Sequence, residues 1–447
     1  MVSGANIAIA LNMDDSEVTF YKNNATQGTI SFSGNITSAS SVIPFAVGAW
    51  YGDTNTYANF GADSSFAAQK TAQGNQDGNG KGDFYYAPPS GYLALCTDNL
   101  STPEIKLPGE NFNTILWSGT GGNRAFTGVG FQPDFVWQKA RDDTWNHSLY
   151  DSVRGVDKAI LSDSTSGELD QDANGYLSSF DSDGFGTTAG SSNNNWWNDS
   201  TDTYVGWNWK AGTTFDPTTD GSIASATGKS NSTAGFSIVK YTAENAVKTI
   251  GHGLSQAPTL ILQKTLVSGQ WECYYLREDG SDGVIFLDQV GAGEAAGSGY
   301  WNDTNPTASV FTVGTGGGTG GGTDDHIAYC FHSVEGYSKI GIYTANNNAD
   351  GPFIYTGFGP SFAMIKRTDS DAGGANWYIM DDKRPGYNVD NDILYANLNN
   401  VEGDTDLADL VSNGVKIRTA DAGVNASGGT YLYMVFASHP FKHANAR

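Results

Sequence analysis

One acidic segment has the residue types and the spacing of a calcium-binding loop. Oxygen-bearing side chains stand at its first, third, fifth and ninth positions, glycine at the sixth, a main-chain carbonyl at the seventh and an acid at the twelfth. Hard cations such as Ca²⁺ bind such sets of oxygens. The twelfth residue is Asp where calcium loops carry a bidentate Glu, and flanking helices are not evident, so an acidic turn before a strand is the competing interpretation. The candidate ligands are Asp170, Asp172, Asn174, Tyr176 through its carbonyl, and Asp181.

Two short tryptophan motifs could bind carbohydrate, because sugar rings stack on indole faces. In both motifs the aromatic residues are followed by Asn and Asp, which supply amide and carboxylate hydrogen-bonding groups. The alternative is that these tryptophans pack in a core or between domains, as large aromatic residues at matching places in homologous domains usually do. The candidate residues are Trp196, Trp197, Asn198 and Asp199, preceded by three asparagines at 193–195, and Trp301, Asn302 and Asp303.

Three lysines recur at the end of an apolar segment, on the same strand face as the apolar residues two and four positions earlier. They are Lys139, Lys264 and Lys366. A lysine that ends an inward face must find a partner or extend to solvent. We expect each to be structural, with its stem over the core and its ammonium on a carboxylate of the repeats such as Asp151 or Asp381. A contact with a carboxylated ligand is the alternative.

Motifs that would indicate catalysis are missing from the sequence. There is no G-x-S-x-G, H-E-x-x-H or P-loop sequence, and the six histidines lack metal-ligand spacing. Among 48 acidic residues a pair for glycoside hydrolysis can always be proposed, so that option does not discriminate. The sequence predicts a protein that is not an enzyme, with no cofactor beyond the calcium ion considered above.

The sequence pattern of the elements that would position these residues occurs three times along the chain. Each copy has a strand ending in an aromatic residue, a turn with Gly before Pro, an apolar strand whose Lys follows that Pro by six residues, a tryptophan segment and an aromatic closing strand. The tryptophans of the three segments are Trp145, Trp271 and Trp377. Units of about a hundred residues can bury their own cores, unlike solenoid repeats. We therefore expect tandem homologous domains.

Composition predicts the fold class and excludes some partners. Aromatic residues make up 12% and charged residues 16% of the chain, and there are 57 glycines. This balance is typical of an all-β protein, here tandem β-sandwiches of the jelly-roll or concanavalin-like type. A net charge of −24 argues against nucleic acid or an anionic membrane as partner. Because no signal segment and no long apolar run is present, we expect synthesis in a cytoplasm without membrane insertion.

The first residues indicate a hairpin. Ile7, Ile9 and Leu11 alternate, an acidic turn at 14–16 follows, and a second strand continues from there. Two more strands are predicted at 43–47 and 57–61. Over about residues 4–65 these motifs resemble the second half of a SPRY domain, a concanavalin-like β-sandwich. The resemblance implies a partial domain, because the strands that open a SPRY domain do not precede residue 7.

A second resemblance covers residues 112–441. The motifs Gly130–Lys139, Leu149–Gly155, Ser179–Phe185 and Tyr204–Gly212 are similar to repeats of uncharacterised function in predicted structural proteins of tailed phages, particularly marine ones. This implies a virion protein, and we expect a tail or head (capsid) fibre that adheres to host-surface glycans or receptors. Its partners would be other virion proteins and further copies of itself, with a trimer among the options. The alternatives are a capsid decoration protein without receptor binding and a fibre-borne polysaccharide depolymerase.

These observations predict a domain order. We expect a partial SPRY-like sandwich at 1–97, a linker at 98–111, repeat 1 at 112–212, a flexible Gly/Ser/Thr-rich linker at 213–233, repeat 2 at 234–335 and repeat 3 at 336–447. The glycine-rich stretch 314–323 is expected to be either a mobile tip or a crowded glycine surface.

Overall fold

The computed structural model describes residues 4–32, 56–192, 196–384, 388 and 392–443. The chain divides into two compact units, Met1–Thr102 and Pro103–Arg447, and the predicted all-β fold is confirmed. Among these residues helix is limited to two short segments, Gly297–Tyr300 (α1) and Ala422–Asn425 (α2), and to 3₁₀ turns at Thr97–Asn99, Pro108–Glu110 and Phe441–His443. No helix within the described ranges has the length and apolar character to cross a membrane.

The first unit contains an antiparallel sheet of three strands, Ile7–Asn12 (β1), Glu17–Lys22 (β2) and Ala25–Ser31 (β3). The predicted hairpin is confirmed, since Leu11 pairs with Val18 across a turn at 13–16. The strand predicted at 57–61 is wrong, because Asn59 Oδ1 accepts the main-chain N–H groups of Gly61, Ala62 and Asp63 and bends the chain into a turn. The strand predicted at 43–47 lies outside the described residues.

The second unit contains the three repeats. Repeat 1 consists of Phe112–Ser118 (β4), Arg124–Thr127 (β5), Phe135–Ala140 (β6), Ser148–Asp151 (β7), Tyr176–Asp181 (β8), Gly184–Thr188 (β9) and Thr203–Trp209 (β10). Repeat 2 and the segment before it consist of Thr213–Phe215 (β11), Ala226–Asn231 (β12), Phe236–Thr242 (β13), Lys248–Gly251 (β14), Leu260–Thr265 (β15), Glu272–Leu276 (β16), Asp282–Phe286 (β17), Glu294–Ala295 (β18), Val310–Val313 (β19) and Asp325–Phe331 (β20). Repeat 3 consists of Ser338–Thr344 (β21), Phe353–Tyr355 (β22), Phe358–Arg367 (β23), Trp377–Asp381 (β24), Asp392–Tyr395 (β25), Gly403–Asp404 (β26), Ala408–Val411 (β27), Gly414–Ile417 (β28) and Thr430–Pro440 (β29).

All three repeats have the same main sheet. Its first strand pairs with its closing strand, which pairs with the lysine strand, which pairs with the following strand: β4-β10-β6-β7, β13-β20-β15-β16 and β21-β29-β23-β24. A smaller antiparallel sheet accompanies each main sheet, in the orders β5-β9-β8, β14-β19 and β22-β28-β27. Each repeat is therefore a β-sandwich.

The main sheets are buried on both faces, which is why β6 and β15 contain only buried residues. One face packs in the repeat's own sandwich, as Val136, Ile261 and Ala363 do in three separate clusters. The other face packs in a single apolar cluster that contains Phe135, Leu260 and other residues of all three repeats. Each repeat has a core of its own, as expected of tandem domains, but the three also share a central one.

Residues 213–233, predicted to be a flexible linker, instead contain two strands that extend the main sheet of repeat 2. β12 pairs with β13 along its length, and β11 pairs with β12. The ring of Phe215 packs over Gly228, and an added Cβ at Gly228 would overlap that ring. Pairing with the open edge of β13 orders these polar residues, and composition alone does not reveal such a neighbour.

Candidate functional site

The three repeated lysines are completely buried, and their hydrogen bonds go to main-chain carbonyl oxygens. The acceptors are Ala140 (2.5 Å) and Asp143 (2.7 Å) for Lys139, Gly269 (2.5 Å) and Ser164 (3.3 Å) for Lys264, and Ala375 (2.7 Å) and Val290 (3.1 Å) for Lys366. Ser164 belongs to repeat 1 and Val290 to repeat 2. Lys264 and Lys366 therefore each join their own repeat to the preceding one.

The expectation that these lysines meet Asp151 or Asp381 is wrong, because both carboxylates are held by arginines. Burial lowers the pKa of Lys139 and Lys264 to about 8 and that of Lys366 to about 7, since carbonyl dipoles replace water only in part. These ammonium groups have no access to solvent or to an external ligand.

Two of the three repeats contain the same buried ionic triad. Arg154 contacts Asp151 at 2.5 Å and Glu168 at 3.3 Å in repeat 1, and in repeat 3 Arg384 contacts Asp381 at 2.7 Å and Glu402 at 3.1 Å. In both, a further guanidinium nitrogen donates to a main-chain carbonyl, that of Leu149 or Ile379. Burial alone would raise the pKa of Asp381, but the Arg384 guanidinium lowers it overall.

The acids of these triads also bind the neighbouring repeat. The Tyr329 hydroxyl of repeat 2 donates to Asp151 at 2.8 Å, and the Trp207 indole of repeat 1 donates to Asp381 at 3.1 Å. At the corresponding position repeat 2 has Tyr275, as the pairing of Leu260 with Tyr275 and of Phe362 with Asp381 shows. An added Cβ at Gly283 or Gly293 would overlap the Tyr275 ring, so a phenol packed on two glycines replaces the triad there.

Contacts between repeats run in one direction around a closed ring. The indole N–H of Trp271 in repeat 2 donates to the Leu161 carbonyl of repeat 1 at 2.8 Å, and that of Trp377 in repeat 3 donates to the Phe286 carbonyl of repeat 2 at 2.9 Å. The contact of Trp207 with Asp381 joins repeat 1 to repeat 3. Trp271 and Trp377 are equivalent and make equivalent contacts, as do Tyr329 and Trp207 with the two aspartates. This pattern is that of three repeats around an approximate threefold axis.

The strand pairing shows that the tryptophan assigned to repeat 1 from the sequence is not the equivalent of the other two. Trp271 and Trp377 lie four residues before Tyr275 and Asp381, which pair with Leu260 and Phe362. In repeat 1 the corresponding pair is Phe135 with Asp151, so the equivalent residue is His147 and not Trp145. His147 is fully buried and accepts the Trp137 indole N–H at 2.9 Å. Burial lowers the pKa of His147 well below its ordinary value.

The predicted stacking platform is wrong for Trp197 and Trp301, because each indole is only 1% exposed. Trp197 packs edge-on against Tyr150 and Trp301 against Tyr274, with ring centroids 5.2 and 5.9 Å apart. The two tryptophans occupy equivalent places in the cores of different repeats and are not brought together. Only Trp196 among the three indoles is partly exposed.

The polar residues of the two motifs stabilise turns and loops of their repeats. Asn198 is buried and donates to Thr120 Oγ1 at 2.9 Å and to the Gly122 carbonyl at 2.6 Å. Asp199 is partly exposed and accepts from Thr201 at 2.8 Å. Asn302 and Asp303 have positive φ angles of 57° and 49°, as turn residues do. The asparagines at 193–195 lie outside the described residues.

The acidic segment does not close a calcium loop. Asp170 pairs with Lys158 at 2.5 Å, and Asn174 donates to the side chain of Gln171. Tyr176 and Asp181 are the two ends of β8, and five steps of extended chain place them about 16 Å apart, too far for one ion. In the described ranges no group of three or more His, Cys, Asp or Glu side chains could hold a metal ion. The structure shows the competing interpretation, an acidic turn followed by the strand β8.

Each sandwich ends in a stacked aromatic pair capped by the segment that precedes the closing strand. The pairs are Trp117 with Tyr204, Tyr241 with His326 and Tyr343 with Tyr431, with ring centroids 5.4, 5.1 and 5.1 Å apart. The first ring of each pair donates to the capping segment, at the carbonyls of Trp197, Thr319 and Val424. We call residues 196–202, 314–324 and 421–429 the tip segments; under a threefold rotation they lie at one end of the ring.

The tip segment of repeat 2 is a crowded glycine surface, the second of the two expectations for residues 314–323. Its Gly318 carbonyl accepts from Gln263 at 2.7 Å, and the same Gln263 amide lies 2.9 Å from His326 Nδ1. An added Cβ at Gly318 would overlap the carboxyl of Glu272, which is 9% exposed. Burial raises the pKa of Glu272 to about 7.

Sequence reasoning missed Glu272 and His326, although a signal was present. An acid directly after a repeat tryptophan, in a strand that is otherwise apolar, predicts a buried carboxyl. His326 is the second residue of the closing strand, where the other repeats have tyrosines, and only the register reveals this correspondence.

A family model described as a domain of unknown function (DUF7483) matches residues 107–440 of the 447. No curated protein and no solved structure matches the chain.

Proposed function

We propose that this chain, which belongs to the DUF7483 family, is a non-catalytic protein of a phage virion, a tail or head appendage that adheres to host-surface glycans or receptors. The similarity of residues 112–441 to repeats of phage structural proteins motivates the assignment to a virion. The family match and the phage resemblance cover the same three-repeat unit, and we propose the function for that unit.

The observation that carries the proposal is the contrast between a repeated scaffold and three different tip segments. Strand order, buried lysine and stacked aromatic pair recur in all three repeats. The tips do not recur: one has a partly exposed Trp196, one is rich in glycine and one contains α2. Binding surfaces on loops held by a rigid β scaffold are a common arrangement in recognition proteins.

The buried charged groups that recur between repeats have structural partners, which supports binding and assembly over catalysis. The carboxylates of Asp151 and Asp381 are held by arginines and by the adjoining repeat. The three lysines are fully buried and are held by main-chain carbonyl groups.

Binding of the purified chain to cells of the host bacterium tests the proposal. Trp196→Ala combined with Asp199→Ala should weaken binding at least tenfold, whereas Tyr355→Ala, which removes an aromatic ring that is 38% exposed on β22, should not. Equal loss in both variants would contradict a tip site. Absence of cell binding together with firm attachment to capsids would favour a decoration protein, and release of reducing ends from host polysaccharide would favour a depolymerase.

A further inference from the structure

The buried Glu272 carboxyl lacks the partners that an ionised group needs. Its Oε2 atom has no hydrogen-bond partner among the described residues, and it lies across the strand pair from Gln263 on the inner face of the sandwich. An isolated carboxylate in such a place is strongly disfavoured relative to the neutral acid.

The segment that covers this carboxyl is anchored on α1 and on the sandwich: the Gly314 N–H and the Thr319 hydroxyl both donate to the Tyr300 carbonyl, at 2.6 and 2.9 Å, and Thr319 is fully buried. Tyr241 donates to the Thr319 carbonyl at 2.7 Å, Gln263 donates to the Gly318 carbonyl at 2.7 Å, and the Gly316 N–H donates to Gly299 at 2.7 Å. Glycine is required at 318 because a side chain there would overlap Glu272. The tip segment of repeat 2 thus lies directly on a carboxyl whose charge would have to be hydrated.

The titratable groups around Glu272 do not offer it a positive charge. Asp288, which follows β17, is an acid and raises the pKa of Glu272 further. Tyr241 on β13 and Tyr300 on α1 are phenols whose own pKa values are raised, chiefly by burial and also by Glu272. His326 on β20, bonded to Gln263, is kept neutral near pH 7 because burial lowers its pKa to about 4.

We propose that Glu272 is a pH-dependent latch: its neutral carboxyl lets the glycine-rich tip segment 314–321 close over the sandwich, and its ionisation releases that segment. Release exposes Gln263 and the stacked pair of Tyr241 and His326 at the end of the ring. The device operates in repeat 2 alone, because the position equivalent to Glu272 is Ser148 in repeat 1 and Tyr378 in repeat 3.

The direction of the effect follows from linkage. The pKa of Glu272 is raised in the closed form to about 7 and is ordinary, about 4.3, in the open form. The closed form is therefore favoured most below about pH 4, its stability falls as pH rises to 7, and it changes little above that. From pH 5 to pH 7 the closing equilibrium should fall by about 40-fold.

Hydrogen exchange of the amides of residues 314–321, corrected for intrinsic rates and measured between pH 5 and 8 on the full chain, tests the latch. Wild type should lose protection across that range, Glu272→Gln should stay protected throughout, and Gly318→Ala should be unprotected at every pH. The exposed Glu278 provides the matched control, and Glu278→Gln should behave as wild type. Constant protection in wild type, or an unchanged pH response in Glu272→Gln, would overturn the proposal.

Discussion

Trp207, on the closing strand of repeat 1, donates its indole N–H to the buried carboxylate of Asp381 in repeat 3 over 3.1 Å. This contact joins the first repeat directly to the last. Together with the contacts between repeats 1 and 2 and between repeats 2 and 3, it closes the ring around the shared apolar cluster. The stability of each repeat should therefore depend on the other two.

Asp381→Asn should be strongly destabilising. The change leaves the guanidinium of Arg384, which is 2% exposed, without its main counter-ion. Removal of one partner from a buried ion pair costs about 3–5 kcal/mol. Urea denaturation monitored by tryptophan fluorescence measures this loss.

The control for that variant is Asp409→Asn, which breaks a more exposed ion pair with Arg418. Such pairs contribute about 0–1 kcal/mol. Equal effects of the two substitutions would show that the buried Asp381 pair contributes no more to the free energy of unfolding than an exposed pair.

Lys366→Met should change how stability depends on pH. The pKa of Lys366 is lowered by burial to about 7, so between pH 7 and about 10 the unfolded chain binds a proton that the folded chain does not. Stability of the wild type therefore rises with pH in this window, by at most about 1.4 kcal/mol per pH unit from this one residue.

Urea denaturation at pH 7, 8, 9 and 10 measures the slope for each variant. Lys366→Met should lose this contribution while Lys106→Met, at an exposed position, should keep it. A parallel dependence in wild type and Lys366→Met would mean that the amine is charged in the folded protein.

Trp301→Ala and Trp196→Ala should have different effects, although the sequence presents them as members of one motif. Trp301 is buried against Tyr274 and Phe311, and its truncation should cost about 3–5 kcal/mol. Trp196 is partly exposed, and its truncation should cost about 1 kcal/mol. Thermal unfolding separates them, and similar losses in both would contradict the burial of Trp301.

The fold class and the repeats could be predicted from the sequence because both follow from local patterns. Short apolar strands, glycine turns and the constant distance from Pro133 to Lys139 and its two equivalents are visible in the chain itself. The shared core could not be predicted, because a strand buried on both faces has the same apolar sequence pattern in either case. The pattern does not tell whether the second face packs on a sheet of its own domain or on a neighbouring repeat.

The site residues were harder to predict because partner choice depends on distant parts of the chain. Lys366 binds a carbonyl 76 residues away, and Trp207 binds a carboxylate 174 residues away. The tryptophan motifs looked like a surface because Asn and Asp follow them, yet those polar groups hold turns while Trp197 and Trp301 point inward.

Hydrogen exchange in wild type and Asp381→Asn, followed at the slowest amides of β10, β20 and β29 in the full chain, tests the closed ring most directly. A ring predicts that these amides share one free energy of opening and that Asp381→Asn lowers it equally in all three strands. A loss confined to β29 in repeat 3, with β10 and β20 unchanged, would contradict the ring and show three repeats that unfold independently.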